Sequence, residues 1–590
     1  MTRLIEAIRA GGAWLRMFFA RFFGGKIREP DPASSASEVN DSALFSQAES
    51  LRRQGRLDEA ASIFQTLLQK HPTHFDLLHL MGMALGQGNQ FEAAIGYIER
   101  AIHVDPANAG AYCSLGNCFR GMNQTEKALA CYEKALALRP GDADALCNRG
   151  AMLKDLDRMA EALASYDLAL QVQPNHVVAL DNRGTALREL AKPEEALASH
   201  DRALALNPAY ASAHYNRGLA LGDIRRFDEA LISYDRAIEI VPDYAGAIYN
   251  RGVMLTALNR LEEALPAFDR AITLKPDAAG IHLARSLCHL LLGHYAQGWP
   301  EYEWRWKTTS LLNTKRDFAQ PMWLGDASLK GATILLHSEQ GLGDTLQFCR
   351  YAKRVNALGA RVLLQVQASL APLLMQLEGV AQVFPSGAEL PAFDCHCPLM
   401  SLPMAFSTDT NSIPAEVPYL QCDARQRALW QDTLNEKTKH RIGLVWSGGT
   451  GHKNDINRSM ALTEIMPLIQ DRKDSIEWIC LQKEVHEADA RLLVASTSIR
   501  VFSDRLTDFA STAALVDLLD LVITVDTSVA HLAGAMGKKV WLLLPFAPDW
   551  RWLLDRDDTP WYPTVRLFRQ PSVADWASVI ETVRGDLARL

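Results

Sequence analysis

The 590-residue chain has no stretch approaching roughly 18 uninterrupted apolar residues, so nothing in it reads as a membrane-spanning helix. It has no CxxC pair. Its ten cysteines are scattered, which excludes a disulfide framework and reads as reduced thiols in a reducing compartment. The closest couple, Cys395 and Cys397, has no second Cys/His pair at zinc spacing. Positive charge is not in excess either: the net charge of −8 argues against a general nucleic-acid binder. Apolar content of 48% and charged content of 22% are those of an ordinary globular protein, and the length asks for two or more domains.

The N-terminus carries "LIEAIRAGGAWLRMFFARFF". Leu4, Ile8, Leu15, Phe18, Phe19 and Phe22 share one half of a helical wheel, and Arg9, Arg16 and Arg21 share the other. Interrupting arginines speak against a cleaved signal peptide. Residues 1–28 are expected to form an amphipathic helix that lies on an anionic membrane surface or docks on protein, and residues 29–42 a flexible linker. The expected location is the cytoplasm, with peripheral contact at the inner membrane as the alternative.

What is present is a period. Prolines recur at Pro72, Pro106, Pro140, Pro174, Pro208, Pro242 and Pro276, every interval being 34. With Pro at position 32, position 8 is Gly from Gly82 to Gly252, position 20 is Ala from Ala60 to Ala264, and position 27 is Ala from Ala101 to Ala271. Small residues let two helices approach, and Pro ends the second. The pattern resembles the tetratricopeptide repeat (TPR) and implies seven repeats over 41–278, an α-solenoid of helical hairpins. A degenerate eighth, 279–318, is expected to cap the stack with its tryptophans.

Four repeats contain the words CNRG, DNRG, YNRG and YNRG. At about 100° per residue, position 6 lies about 200° from the Gly at 8, so Asn148, Asn182, Asn216 and Asn250 are expected to point away from the packing face. A carboxamide column can pair with the N–H and C=O of an extended peptide, or it can simply solvate an exposed face. A similar column in the O-linked N-acetylglucosamine transferases holds substrate polypeptides, and the resemblance favours the first reading. Arg149, Arg183, Arg217 and Arg251 recur in the same repeats as Asp167, Asp201, Asp235 and Asp269, which suggests structural ion pairs between helices.

After about residue 320 the pattern changes to short β-branched runs at 332–337, 361–366, 441–446, 476–481, 521–525 and 539–544. Helical patterns separate most of them, so parallel sheets with crossover helices are expected, in units 319–435 and 436–590. Ligands of such folds sit beyond the carboxyl ends of the strands. There the chain carries "SEQGLGDTLQF" with Gly341, Gly343 and Asp344, and "VWSGGTGHKNDINRS" with Ser447, Lys453, Arg458 and Ser459. It also carries "CLQKE" with Gln482 and Lys483, and "DTSVAHLAGAMG" with Asp526, Thr527, Ser528 and His531. The second loop lacks the GK[ST] ending of a Walker loop. Each residue also has a plain role: Asp344 as a helix cap, His531 as a satisfied core histidine.

The GLGD word and "DTSVAHLAGAMGKKV", in that order, resemble the two landmark motifs of the bacterial lipopolysaccharide heptosyltransferase-like family, of the two-Rossmann GT-B type. The resemblance covers about 330–560 and implies an inverting, metal-independent glycosyltransferase with no cofactor beyond a nucleotide-sugar donor. It assigns Asp344 as the catalytic base and Asp526, Thr527 and His531 to the nucleotide diphosphate or sugar. Where the family has Gly, this chain has Ser528, and "LPFAPDWRWLLDRDDTPW" departs too, its Trp550, Arg551 and Trp552 shaping a pocket or packing as core. Joined to the repeats, the chain resembles bacterial TPR-linked protein glycosyltransferases, some of which modify flagellins. The implied function is sugar transfer to Ser or Thr of a polypeptide captured by the array. A lipid-anchored saccharide acceptor and a non-catalytic scaffold remain as alternatives.

Overall fold

The computed structural model describes residues 32–312, 315–449 and 455–589. The expected helix at 1–28 and Lys453 lie outside these residues. The chain divides into two compact units, Met1–Asn216 and Arg217–Leu590.

In the first unit ten complete helices, from Pro32–Arg53 to Pro193–Leu206, form five hairpins among the described residues. Residues 32–42 are the start of the first helix, not a linker. Their Ser and Ala content was read as loop composition, but the stretch continues without a break into the first repeat. Within each repeat the turn needs a residue in the left-handed region, and Asn89, Asn123, Asp157 and Ala191 supply it at 34-residue intervals. After each Pro, a side chain caps the next helix: His74, Asn108, Asp142 and His176 each accept from the third amide. The Gly at position 8 faces a large side chain on the second helix, Ile98 opposite Gly82 and an aromatic ring in the later repeats. A Cβ on Gly150 would stand 2.5 Å from a ring carbon of the buried Tyr166.

The second unit starts with the remaining hairpins, ending in helices Ala279–Leu291 and Tyr295–Tyr302. Strands β1 (Thr333–His337), β2 (Arg361–Val366), β3 (Gln382–Pro385) and β4 (Cys395–Pro398) form a sheet in the order β3-β2-β1-β4. Strands β5 (His440–Val445), β6 (Ile476–Cys480), β7 (Ile499–Val501), β8 (Leu521–Val525), β9 (Val540–Leu544) and β10 (Val565–Arg569) form a second, β10-β9-β8-β5-β6-β7. All pairings are parallel. The sequence did not announce β3 and β4, which end in proline, β7, which has three residues, or β10, where arginines interrupt the apolar run.

The eighth hairpin does more than cap the stack. Trp299 is buried, donates to the carbonyl of Thr408 at 2.8 Å and meets Trp550 edge-on at 5.2 Å. Arg305 just beyond it is fully buried and reaches Glu339 at 3.1 Å and Ser401 at 2.7 Å. Trp299 buries itself in the α/β part, in one core running from Leu231 to Leu567, while the half-buried Trp304 stacks on His282 of helix Ala279–Leu291 at 3.8 Å.

Candidate functional site

The loops after β1, β5, β8 and β9 converge on a cavity of about 270 Å³. Gly341, Gly343 and Asp344 come from the first sheet, and Arg458, Asp526, Thr527, Ser528 and His531 from the second. The structure thus brings together eight residues singled out from three separate motifs, and adds Asp549 and Arg551 from the loop after β9.

Asp344 is the third residue of helix Leu342–Phe348. One carboxylate oxygen accepts the Gly341 N–H at 2.7 Å, and the other is bound by Arg551 Nη2. Arg551 also donates to Gln347 at 2.7 Å and to Asp549 at 2.8 Å, and lies 4.4 Å over the Trp550 ring. Burial opposes its charge, but the carboxylates of Asp549 and Asp344 more than offset that and raise its pKa. Trp550 and Trp552 themselves are core residues, so the segment both shapes the pocket and packs.

Burial, and then the Asp549 carboxylate, raise the pKa of Asp526. His531 stands 4.0 Å from it through Nε2 and pairs with the Tyr562 hydroxyl at 3.0 Å through Nδ1. Burial and the guanidiniums of Arg551, Arg350 and Arg458 push His531 well below the ordinary imidazole value, so the ring is neutral. Gly343 has a job the sequence did not show. A Cβ there would fall 2.8 Å from the His531 ring and 3.6 Å from Ser528 Cα, so this glycine lets the two lobes' loops touch. Arg458 donates to the main-chain carbonyl of Asp526 at 2.9 Å and to Asp455 at 3.2 Å, which aims it at the cavity.

Other residues expected at a nucleotide do not line this cavity. Ser447 and Gln482 are buried and spent on each other: Gln482 accepts from the amides of Trp446 and Ser447 and donates to Ser447 Oγ and the Glu484 carbonyl. They lock the end of β5 to the end of β6. Ser459 accepts the Gly448 amide at 2.9 Å and so shapes that loop. Lys483 is exposed, 3.4 Å from the Thr507 carbonyl, and does not line the cavity. The strand-end rule places residues near a crevice but does not say which side of the strand end they leave by.

In the first unit the asparagines are half-buried and each engages the preceding repeat. Asn148 accepts from Arg120 at 2.8 Å, Asn182 donates to Cys147 Sγ at 3.7 Å, and Asn216 donates to both oxygens of Asp181 at 3.1 Å. They are neither packed inside nor wholly turned outward; part of each carboxamide ties repeats together. Asn250, in the second unit, is half-buried as well. The arginines pair one repeat back: Arg183 with Asp167 at 2.6 Å, Arg251 with Asp235 at 2.6 Å, and Arg149 with Glu133 at 3.8 Å. Missed from the sequence was the buried cluster on Asp181, which accepts from His200 Nδ1 and Ser212 Oγ, both at 2.8 Å. The signals were His200, standing where most repeats have Tyr or Phe, and Asp181, standing where the other NRG words have Cys or Tyr.

Among the described residues no helix is long and apolar enough to cross a membrane. The curated protein FlbA of Caulobacter vibrioides (strain ATCC 19089 / CIP 103742 / CB 15) is 26% identical over 319 residues, which cover 50% of this chain and 53% of that protein. The chain therefore spans about half the length of that relative. Among solved structures, YrrB, described as a TPR protein with an unusual peptide-binding site, is 30% identical over 32% of this chain and 98% of its own, with a TM-score of 0.28. PilF of Pseudomonas aeruginosa is 23% identical over 34% of this chain and 92% of its own, with a TM-score of 0.32. Tetratricopeptide-repeat family models match residues 51–115, 109–142, 143–176, 182–245, 226–279 and 249–298, so the helical array of this chain is a run of tetratricopeptide repeats.

Proposed function

We propose that the protein is an inverting GT-B glycosyltransferase that moves a sugar from a nucleotide diphosphate sugar to a Ser or Thr hydroxyl of a polypeptide held by the repeats. The observation that carries this is the common cavity of the Gly341–Asp344 loop and the Asp526–His531 turn, contributed by two different parallel sheets. The family resemblance of those two motifs supplies the chemistry.

In this reading the acceptor oxygen attacks the anomeric carbon as the bond to the diphosphate breaks. Asp344 takes the hydroxyl proton, and Arg458 with the amides at Thr527 and Ser528 balances the charge on the departing diphosphate. Asp526, biased toward its protonated form, and neutral His531 donate or accept hydrogen bonds without adding charge. Flagellin is a candidate acceptor on the resemblance alone. The test is to incubate the full chain with UDP-, GDP-, CMP- and ADP-linked sugars and follow donor hydrolysis and mass gain on added polypeptide. Turnover lost in Asp344→Asn supports the reading.

One observation favours a second reading, a non-catalytic peptide scaffold: both oxygens of Asp344 are already bound, by the Gly341 amide and Arg551. Absence of turnover and of nucleotide binding across that panel would establish it.

A further inference from the structure

A second cavity, of about 360 Å³, lies beside the cleft. Tyr249, Val253, Ala284 and Leu287 of the last hairpins wall one side, and Pro545, Phe546 and Val573 from the loops after β9 and β10 wall the other. Two facts place it against the cleft. Pro545 lines both, and the single turn Asp455–Arg458 puts Asn457 into this wall and Arg458 into the other. The 34-residue frame adds a third. Ala284 occupies position 6, which is Asn in the four preceding repeats, so the polar column yields to a methyl group where the cavity opens.

The polar side chains in the wall are mostly spoken for. Arg225 donates to the Ile456 carbonyl at 2.7 Å and Thr256 to the Gly252 carbonyl at 2.9 Å. Gln570, 4% exposed, accepts the Phe546 N–H at 3.1 Å, while its Nε2 has no partner among the described residues. An apolar, aromatic wall whose polar groups are engaged or closed off suits a bulky hydrocarbon. A nucleobase edge would ask for several matched donors and acceptors.

We propose that this cavity is an acceptor subsite. It takes a Leu, Ile, Met or Phe side chain of the polypeptide at a fixed offset from the hydroxyl entering the cleft. The inference rests on the peptide-acceptor reading above and adds a sequence requirement to it. Burying such a side chain in place of Ala selects for it by about tenfold or more.

The test pans a synthetic dodecapeptide library, with Ser or Thr fixed at the centre, on the immobilised full chain. Binding of UDP, CDP, GDP and ADP is measured separately by calorimetry. Bulky apolar residues should be enriched about tenfold over Ala at one offset. The enrichment should vanish in Ala284→Trp and in Val573→Trp, which fill the cavity from opposite walls, with nucleotide affinity kept within about twofold. If Ala284→Trp does not fold, Val573→Trp, in a loop, carries the test. No positional preference, or preference surviving in the folded variants, overturns the subsite. So does loss of nucleotide affinity with peptide selection intact, which makes the cavity a base pocket. Apolar selection without binding of any nucleotide upholds the subsite and sinks the transferase reading instead.

Discussion

Arg551 binds the carboxylate of Asp344 across 207 residues of chain, joining the loop after β9 to the loop after β1. Their side chains are 9% and 21% exposed, so the pair is little screened by water. A double-mutant cycle of Asp344→Asn and Arg551→Gln, read by urea unfolding, should give a coupling of about 1–3 kcal/mol. A coupling near zero would mean that the pair does not hold the two loops together.

Activity should follow the cavity rather than the motifs. If the proposed transfer holds, Asp344→Asn and Arg458→Ala are expected to lower donor turnover by about 100-fold or more, since each removes a charged group that lines the cavity. Lys483→Ala should leave turnover within about twofold, because its ammonium is exposed outside the cleft. A large loss in Lys483→Ala would return that lysine to the donor site.

Two neighbouring groups should give stability opposite pH dependences. The folded-state pKa of Asp526 is raised by burial and then by Asp549. Such a carboxyl costs nothing below its unfolded value near 3.8 and opposes folding as pH rises through the folded value. Asp526→Asn should therefore melt above the wild type at about pH 8, with the gap closing by about pH 4. His531 is lowered by burial first and by the nearby guanidiniums second, so its contribution is present above the ordinary 6.5 and lost as pH falls below it. His531→Gln should flatten the wild type's fall in Tm between about pH 7 and 5.

In the array, position matters more than charge. Arg183 and Asp167 are partly exposed, and Arg183→Ala should cost no more than about 1 kcal/mol in urea unfolding. Asp181 is 2% exposed and accepts from His200, Ser212 and Asn216. Asp181→Ala strands those donors, and about 3 kcal/mol or more should be lost.

Much of the architecture was legible because it is local. The Ala at 20 and 27, the Gly at 8 and the Pro at 32 each act within one hairpin, so a repeating pattern identifies a repeating contact. The β-branched runs marked the long central strands for the same reason. The short strands β3 and β7 were silent, since three or four residues carry no period.

The candidate site was legible only as a set of strand ends. Sequence alone determined that GLGD and DTSVAH each follow a strand, and that an asparagine recurs in four successive repeats. Tertiary structure decided that Gly343 makes room for His531, that Gln482 turns inward while Lys483 turns out, and that Asp344 meets Arg551. Those contacts join residues far apart in the chain, and their geometry is set by how two sheets and the last hairpins pack into one core. Local pattern fixes which element a residue sits on, but only close packing fixes what its side chain faces.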